Sequence, residues 1–204
     1  MKIYGMTDSG NCYKPRLLMA KLGRSFEHVE VEGGATGTRS AAFLARNPNG
    51  MVPLLEFDDG RVLAESNALL LHLAEGTRLL PADAYERALA YQWMFFEQYS
   101  HEPYIAVRRA LTIDPRRAAE ATPEKLEATL IRGNRALAVM EGRLGQSPFF
   151  AGEAMSVADI ALYAYTHVAG EGGFDLAAYP AVVAWLSRVA ADPGHVPMDW
   201  IPGR

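Results

Sequence analysis

The sequence predicts an α/β domain followed by an all-α domain, because the hydrophobic pattern changes part-way along the chain. Up to about residue 76, strand-like alternating segments are interleaved with segments of helical periodicity. Beyond residue 83 almost every segment has helical periodicity. Gly76–Asp83 interrupts both patterns with Gly, Thr and Pro. We therefore expect domains over residues 1–77 and 86–204, joined by a linker over 78–85.

The first domain is predicted to follow the order βαβαββα. Its elements are a strand at Lys2–Met6, a helix at Tyr13–Leu22, a strand at Phe26–Val31, a short helix at Phe43-Leu44, a hairpin turning at Asp59-Gly60, and a final helix. The final helix follows the apolar run after Asn67, so Ser66 is expected at its N-cap with the Glu65 carboxylate beside it.

The second domain is predicted to consist of helices throughout. They are a long run from Tyr85 to about Leu111 that breaks at Glu102-Pro103, a helix opened by Thr122-Pro123 and ending near Leu144, a helix over Ile160–Tyr165, and a last one over Val182–Ala191. Ser156 and Asp159 have the spacing of a capping box before the third of these.

Composition argues for a soluble cytoplasmic protein. The 204 residues carry a net charge of −4, so there is no basic field for nucleic acid. No apolar stretch approaches the roughly 20 residues that a membrane helix needs. The single cysteine excludes an internal disulfide and suits a reducing compartment. No metal site is predicted.

Two short motifs predict a binding site for a small peptide-like ligand. Pro53 has no N–H to donate, so a Val52-Pro53 bond at a strand entrance leaves the backbone groups of Val52 available for a ligand. The helix start at Glu65-Ser66 offers N–H donors and a positive dipole end, which favour a carboxylate. Main-chain pairing at one end and carboxylate capture at the other are typical of peptide recognition.

Val52-Pro53, a hairpin and Glu65-Ser66, in this order, resemble the glutathione-binding half of the cytosolic glutathione transferases. The resemblance covers nearly the whole chain, because an α/β domain precedes an all-helical one and Ser156–Asp159 is similar to the capping motif of the family's second domain. It implies a thioredoxin-like first domain with Pro53 at the place of that fold's cis-proline, glutathione as co-substrate, and a homodimer.

Three side chains in the loop after the first strand compete to activate the thiol of glutathione. Ser9 matches the position of the activating serine in theta-like and zeta-like members of the family. Asn11 matches an asparagine of nu-like bacterial members, whose lysine falls at Lys14. Cys12, at the start of a helix, could itself become a thiolate. A single hydrogen bond to the charged thiolate, worth ~1.5–3 kcal/mol, would lower a thiol pKa of ~8.5 by about one to two units.

The resemblance also assigns the remaining glutathione contacts. Glu65 and Ser66 would hold the γ-glutamyl group, and Val52, before Pro53, would pair its backbone with the cysteinyl unit. For the glycyl carboxylate, Lys14 and Arg39 are the candidate cations. Several members of the family carry Lys or Gln directly before Val-Pro, where this chain has Gly50-Met51. Asn49, Lys14 or Arg39 would then replace the usual side-chain contact.

The second domain is expected to hold the electrophile. Trp93 and Phe96 fall at core spacing, whereas His101, Tyr104 and Arg108 form a polar stripe near the break at Pro103 and are predicted to line a cleft. The predicted function is a glutathione transferase that conjugates the thiolate to a small apolar electrophile. The alternatives are a glutathione-dependent disulfide reductase or peroxidase, and a non-catalytic binding protein of the same fold.

Overall fold

The computed structural model describes residues 1–203 as two compact units. The first comprises Met1–Glu75 together with residues 192–203, and the second comprises Gly76–Ala191. The terminal segment 192–203 thus packs with the first unit, although the sequence predicts a helical domain that runs to residue 204. None of the helices within residues 1–203 has the length and apolar character needed to cross a membrane.

The first unit is built on a four-stranded mixed sheet. Its strands are β1 (Lys2–Gly5), β2 (Glu27–Glu30), β3 (Leu54–Glu56) and β4 (Val62–Ala64), in the order β2-β1-β3-β4. β1 runs parallel to β2 and antiparallel to β3, which forms the predicted hairpin with β4. The Val52–Pro53 peptide bond is cis. With its helices this is the predicted thioredoxin-like order βαβαββα.

Three helices complete the first unit, namely α1 (Gly10–Lys21), α2 (Ala41–Leu44) and α3 (Ser66–Ala74). α1 packs against α3, and its start lies three residues before the predicted one because the Ser9 hydroxyl caps it by accepting from the Cys12 N–H at 3.4 Å. The predicted N-cap role of Ser66 is wrong by one position. Glu65 occupies the N-cap of α3, without a side-chain capping bond, and Ser66 is the first helical residue.

The second unit consists of helices, as predicted. They are α4 (Ala84–Phe96), α5 (Glu102–Ile113), α6 (Pro123–Leu144), α7 (Val157–Thr166) and α8 (Pro180–Ala191), with short 3₁₀ segments at Pro115–Glu120, Ala169–Gly172 and Leu176–Ala178. The break predicted near Pro103 is a π-helical turn over Glu97–His101 that joins α4 to α5. Such a turn adds a residue per turn and changes which side chains face inward.

The predicted capping box at the start of α7 is present and anchors the core of the second unit. The Asp159 carboxylate accepts four hydrogen bonds, from the N–H groups of Phe150 and Ser156, the Ser156 hydroxyl and the Trp185 indole, at 2.8–3.1 Å. Burial raises the pKa of Asp159 to about 6, against the lowering effect of these bonds. The side chain is fully buried beside Phe150 and Trp185, whose ring centroids lie 5.1 Å apart.

We predict that Asp159→Asn lowers the free energy of unfolding by about 2–4 kcal/mol, because the amide NH₂ would face donors that now need an acceptor. The exposed Asp175→Asn, which changes a cap on a 3₁₀ turn, should cost less than about 1 kcal/mol. Urea denaturation of both variants measures the difference, and equal costs would contradict the anchoring role.

Asp159 also makes the free energy of unfolding depend on pH over a defined range. With a folded pKa of about 6 above an ordinary value near 4, Asp159 contributes stability that is fully present below pH ~4 and lost as the pH rises through about 6. The difference in the free energy of unfolding between wild type and Asp159→Asn should therefore decrease as the pH rises from ~4 through about 6.

Candidate functional site

The turn before α1 holds Ser9 beside the Cys12 thiol. The Ser9 oxygen accepts from the Cys12 N–H at 3.4 Å, and the same hydroxyl interacts with the thiol, whose pKa this contact lowers. Thr7, two residues earlier, is fixed by Glu30, whose carboxylate accepts the Thr7 N–H at 3.0 Å and the Thr7 hydroxyl at 2.6 Å. Partial burial raises the pKa of Glu30, yet the bonds from Thr7 and His28 outweigh it and the net pKa is lowered. Thr7 thus fixes the turn that carries Ser9.

Cys12 is a packing residue in this structure. It is fully buried, its Sγ accepts from the Met6 N–H at 3.3 Å, and a Cβ on Gly5 would meet it at 3.0 Å. Burial raises the pKa of the thiol despite the lowering effect of the Ser9 contact. A buried thiol with a raised pKa is inert, so Cys12 does not supply a thiolate.

A polar cluster joins the start of α1 to the start of α3. It consists of Asn11, Lys14, Ser66 and Asn67, and we call it the Ser66 cluster. The fully buried Lys14 ammonium donates to Ser66 Oγ at 3.1 Å and to Asn67 Oδ1 at 3.3 Å, while Ser66 Oγ donates to Asn11 Oδ1 at 3.4 Å. A positive charge therefore lies beside the first N–H groups of a helix, which have no acceptor within it. The arrangement suits a carboxylate.

Glu65, directly before the Ser66 cluster, adopts a backbone conformation that ordinarily belongs to glycine. Its φ and ψ are 71° and 113°, and no other non-glycine residue within residues 1–203 has a positive φ. Such a conformation costs of order 1–3 kcal/mol and persists where the surroundings impose it. Its side chain is exposed. A carboxylate is thus presented to solvent at the helix start from a strained position.

Val52 presents an unpaired edge of backbone next to Pro53. Neither its N–H nor its C=O has a hydrogen-bond partner among residues 1–203, and its side chain packs on the cluster of Val31, Phe43 and Leu54. Unpaired backbone groups beside a sheet can accept an extended peptide as an added strand. The sequence-based expectation for Val52 and this geometry are compatible.

Arg39 lies at the loop before Val52, away from the contacts that Lys14 makes. Its Nη1 donates to Asn49 O at 3.2 Å, and the guanidinium approaches Gly50 so closely that a Cβ there would meet Nη1 at 2.7 Å. Gly50 also has a φ of +63°. Glycine suits both this backbone conformation and the close approach of the guanidinium, because it has no Cβ. Arg39 is exposed, and its remaining N–H groups can reach solvent. The two candidate cations thus contact different segments, Lys14 at Ser66 and Arg39 at Asn49.

Two residues predicted to line the electrophile cleft make structural contacts. His101 is fully buried and donates from Nε2 to Thr166 Oγ1 at 2.8 Å, because that hydroxyl gives its own proton to Leu162 O. Arg108 donates to the carbonyls of Gly172 and Leu126, and burial lowers its pKa. These contacts give both residues a structural role, and a place of either residue at the electrophile cleft stays a prediction. The residues hold neighbouring segments of the second unit together.

Tyr104 does line a groove on the second unit. The groove has a volume of about 470 Å³ and is lined by Phe96, Tyr99, Ser100, Tyr104, Arg132, Arg135, Ala136 and Val139. The Tyr104 hydroxyl accepts from Arg132 Nη1 at 3.4 Å, and the guanidinium carbon lies 5.4 Å from the ring centroid. A role of Tyr104 in electrophile binding stays a prediction.

Sequence reasoning missed two residues that the geometry brings to the site. Asn67 accepts from Lys14, and Thr7 fixes the turn that carries Ser9. Asn67 follows the Glu65-Ser66 motif directly, so its position could have indicated it. Nothing in the sequence relates Thr7 to Glu30, which lies 23 residues away. Among residues 1–203 there is no group of three or more His, Cys, Asp or Glu side chains that could hold a metal ion.

The fold is thus a thioredoxin-like unit followed by a helical one. Comparison with known proteins agrees with this class over both parts. The N-terminal domain model of glutathione S-transferases matches residues 3–78, and the C-terminal domain model matches residues 89–193. The chain belongs to the glutathione S-transferase superfamily.

The individual relatives include proteins named as glutathione S-transferases and one named as a disulfide-bond oxidoreductase. A solved glutathione S-transferase from Xanthobacter autotrophicus Py2 is 51% identical, with 97% of this chain and 96% of that chain covered and a TM-score of 0.93. The disulfide-bond oxidoreductase YfcG of Escherichia coli is 30% identical, covering 90% of this chain and 87% of its own length. A theta class glutathione S-transferase from Xanthomonas axonopodis pv. citri, solved with glutathione bound, is 28% identical over 95% and 93%, with a TM-score of 0.85.

Proposed function

We propose that this protein is a glutathione transferase that binds glutathione on its first unit and stabilises the thiolate with the Ser9 hydroxyl. The observation that carries the proposal is the position of the Ser9 hydroxyl at the start of α1, on the same unit as the unpaired Val52 backbone and the Ser66 cluster. The glutathione bound to the Xanthomonas relative supports the choice of ligand. The single cysteine suits the reducing cytoplasm, where glutathione is abundant.

Charge and hydrogen bonding suggest how glutathione would lie. The α-carboxylate of its γ-glutamyl group would meet the Lys14 ammonium, the Ser66 hydroxyl and the first N–H groups of α3. The exposed Glu65 carboxylate would face the α-ammonium, which gives its strained backbone a function. The cysteinyl unit would pair with the Val52 N–H and C=O beside Pro53. Arg39, at Asn49, would meet the glycyl carboxylate.

The chemistry needs only a stabilised thiolate and a held electrophile. The thiol of glutathione loses its proton to solvent, the Ser9 O–H donates to the sulfur, and the sulfur attacks an electrophilic carbon while the leaving group departs. A hydrogen bond to the thiolate lowers the thiol pKa by about one to two units. Holding the two reactants together removes part of the remaining entropic barrier.

Asn11 is the second candidate for the thiolate donor. Its Oδ1 accepts from Ser66, so one end of its amide is tied to the proposed γ-glutamyl site. That contact favours a positioning role for Asn11 and the donor role for Ser9. The amide NH₂ of Asn11 could still share the task.

A disulfide reductase is the alternative enzyme, and the match to YfcG favours it. In that reaction two glutathione molecules reduce one disulfide, giving oxidised glutathione and two thiols. Both reducing thiols would come from glutathione, and the two product thiols from the substrate disulfide, because the single cysteine of this chain, Cys12, is buried. A non-catalytic binding protein of the same fold would retain glutathione without turning over either class of substrate.

We further propose that the protein acts as a homodimer through one face of the second unit. Phe95 and Tyr99 on one helical run, and Ile131 and Val139 on α6, are exposed large apolar side chains, and Tyr99 and Val139 line the groove described above. Large exposed apolar side chains that meet at a groove, as Tyr99 and Val139 do, are typical of association sites. A two-fold dimer would bury the face against itself.

Sedimentation should therefore give a dimer for wild type and a monomer for Ile131→Glu, because a buried unpaired carboxylate costs several kcal/mol. The control is Val183→Glu, an exposed apolar residue on α8, which should leave the dimer intact. A dimer in the Ile131→Glu sample would contradict this choice of face.

We expect Ser9→Ala to raise the pKa of bound glutathione by about one to two units and to slow conjugation at pH 7 roughly 8- to 25-fold, in proportion to the lost thiolate fraction. Thiolate absorbance against pH measures the first effect, and turnover of an aryl halide measures the second. Ser40→Ala is the matched control, since Ser40 also caps a helix of this unit by accepting from a backbone N–H, that of Phe43 at 3.2 Å.

The outcomes of that experiment separate the candidate functions. An unchanged thiol pKa in Ser9→Ala, with a rise in Asn11→Ala, would transfer the donor role to Asn11. Faster turnover of a disulfide than of any aryl halide or enone would identify the reductase. Failure of wild type to be retained on immobilised glutathione would contradict the proposal altogether.

Glutathione and its fragment γ-glutamylcysteine should distinguish the two cations. We predict that Arg39→Gln weakens glutathione binding about tenfold, as expected for a lost ion pair of ~1.4 kcal/mol, and leaves γ-glutamylcysteine binding unchanged. Lys14→Met should weaken both ligands. Calorimetry measures the four affinities, with the exposed Arg61→Gln of the hairpin as control. Loss of glutathione affinity alone in Lys14→Met would place Lys14 at the glycyl end instead.

A further inference from the structure

The C-terminal segment 192–203 lies along α1, the helix that Ser9 caps. Lys21 donates to the carbonyl and the carboxylate of Asp192 at 3.1 and 3.0 Å, and the Tyr13 hydroxyl donates to Val196 O at 2.5 Å. Gly194 passes so close that a Cβ would meet Ala20 O at 2.7 Å. The segment is therefore seated on α1 by several independent contacts.

Arg16 is the contact that reaches from this segment to the Ser9 turn. Its side chain is fully buried, and its Nη2 donates to both Thr7 O and Met198 O at 2.7 Å. Within residues 1–203, Nε and Nη1 have no hydrogen-bond partner, and burial lowers the pKa of the guanidinium. The charges of Glu30 and Asp199 only partly offset this effect, so the residue is a poor choice for stability by itself.

The two hydrogen bonds donated by Arg16 Nη2 help to fix the position of Thr7. Glu30 holds the N–H and the hydroxyl of Thr7, and Arg16 holds its carbonyl, so every polar group of Thr7 has a partner. Thr7 lies two residues before Ser9, and the Ser9 N–H donates to Met6 O at 3.3 Å, which closes the turn. Fixing Thr7 fixes the direction in which Ser9 can donate.

We propose that Arg16 is a positioning residue for thiolate formation, which acts by locking the Thr7–Ser9 turn onto the C-terminal segment through Met198. The inference rests on the proposed role of Ser9. It makes the segment at 192–203 part of the thiol-activating machinery. Because a guanidinium hydrogen bond is directional, a change at Arg16 alters the aim of Ser9 without removing its hydroxyl.

The test is the pKa of bound glutathione, measured by thiolate absorbance, in a cycle of Arg16→Met, Ser9→Ala and the double variant. Arg16→Met should raise the thiol pKa by about one unit, lower kcat about tenfold and leave the affinity for glutathione within a few-fold of wild type. On the Ser9→Ala background the same change should add nothing. Arg24→Met, which loses a contact to the Leu73 carbonyl outside the segment, should leave the thiol pKa unchanged.

The outcomes distinguish this inference from the proposed function. If Ser9→Ala leaves the thiol pKa at the wild-type value, the proposed donor fails. If Ser9→Ala raises it and Arg16→Met does not, only the positioning role fails. Equal shifts by Arg16→Met with and without Ser9 would indicate direct action of the charge on the thiolate and would also overturn positioning.

A second variant keeps the test decisive if Arg16→Met does not fold. Gly194→Ala displaces the segment from α1 without touching Arg16, because the new Cβ clashes with Ala20 and the φ of +76° disfavours alanine. Hydrogen exchange over residues 192–203 reports the displacement. A displaced segment with a thiol pKa equal to that of wild type would overturn the proposal, and a rise in the same direction as Ser9→Ala would support it.

Discussion

The packing of the first unit depends on three basic side chains of helix α1 that are buried and therefore require hydrogen-bond acceptors. Lys14, Arg16 and Lys21 are all buried. Lys14 donates to the start of α3, Arg16 donates through Nη2 to the turn before α1 and to the C-terminal segment, and Lys21 donates to Asp192. A buried cation without acceptors is expensive, so each pairing fixes a neighbouring segment in place. The polar ends of α1 and α3 are thereby held as a surface that can receive an anion.

The architecture could be predicted because its elements follow from short, local patterns of residues in the sequence. The hairpin around Gly60, the capping box of Ser156 and Asp159, and the helical break near Pro103 each follow from a few adjacent residues, and the structure confirms all three. The start of α1 was less accessible, because a serine at position 9 and an asparagine at position 11 are both good caps. Only the Cys12 N–H contact decides between them.

The directions in which the side chains point could not be predicted from the sequence in the same way. The π-helical turn at Glu97–His101 changes the phase of the helix, so a stripe drawn at regular spacing through His101 and Arg108 does not describe one surface. Lys14 and Ser66 illustrate the other limit, since they lie 52 residues apart and meet only because α1 packs on α3. Which cation serves which end of a ligand is a property of packing. The motif itself fixes only the residue types.

The burial of Cys12 has a consequence for the chemical reactivity of the protein itself. An exposed thiolate attacks oxidised glutathione and electrophiles, so a protein that binds such molecules near a reactive cysteine would be modified covalently. Here the single cysteine is enclosed and its pKa is raised. The one thiol of the chain is thus shielded from glutathionylation and alkylation, and a reactive thiol detected in a folded sample can be attributed to a bound ligand.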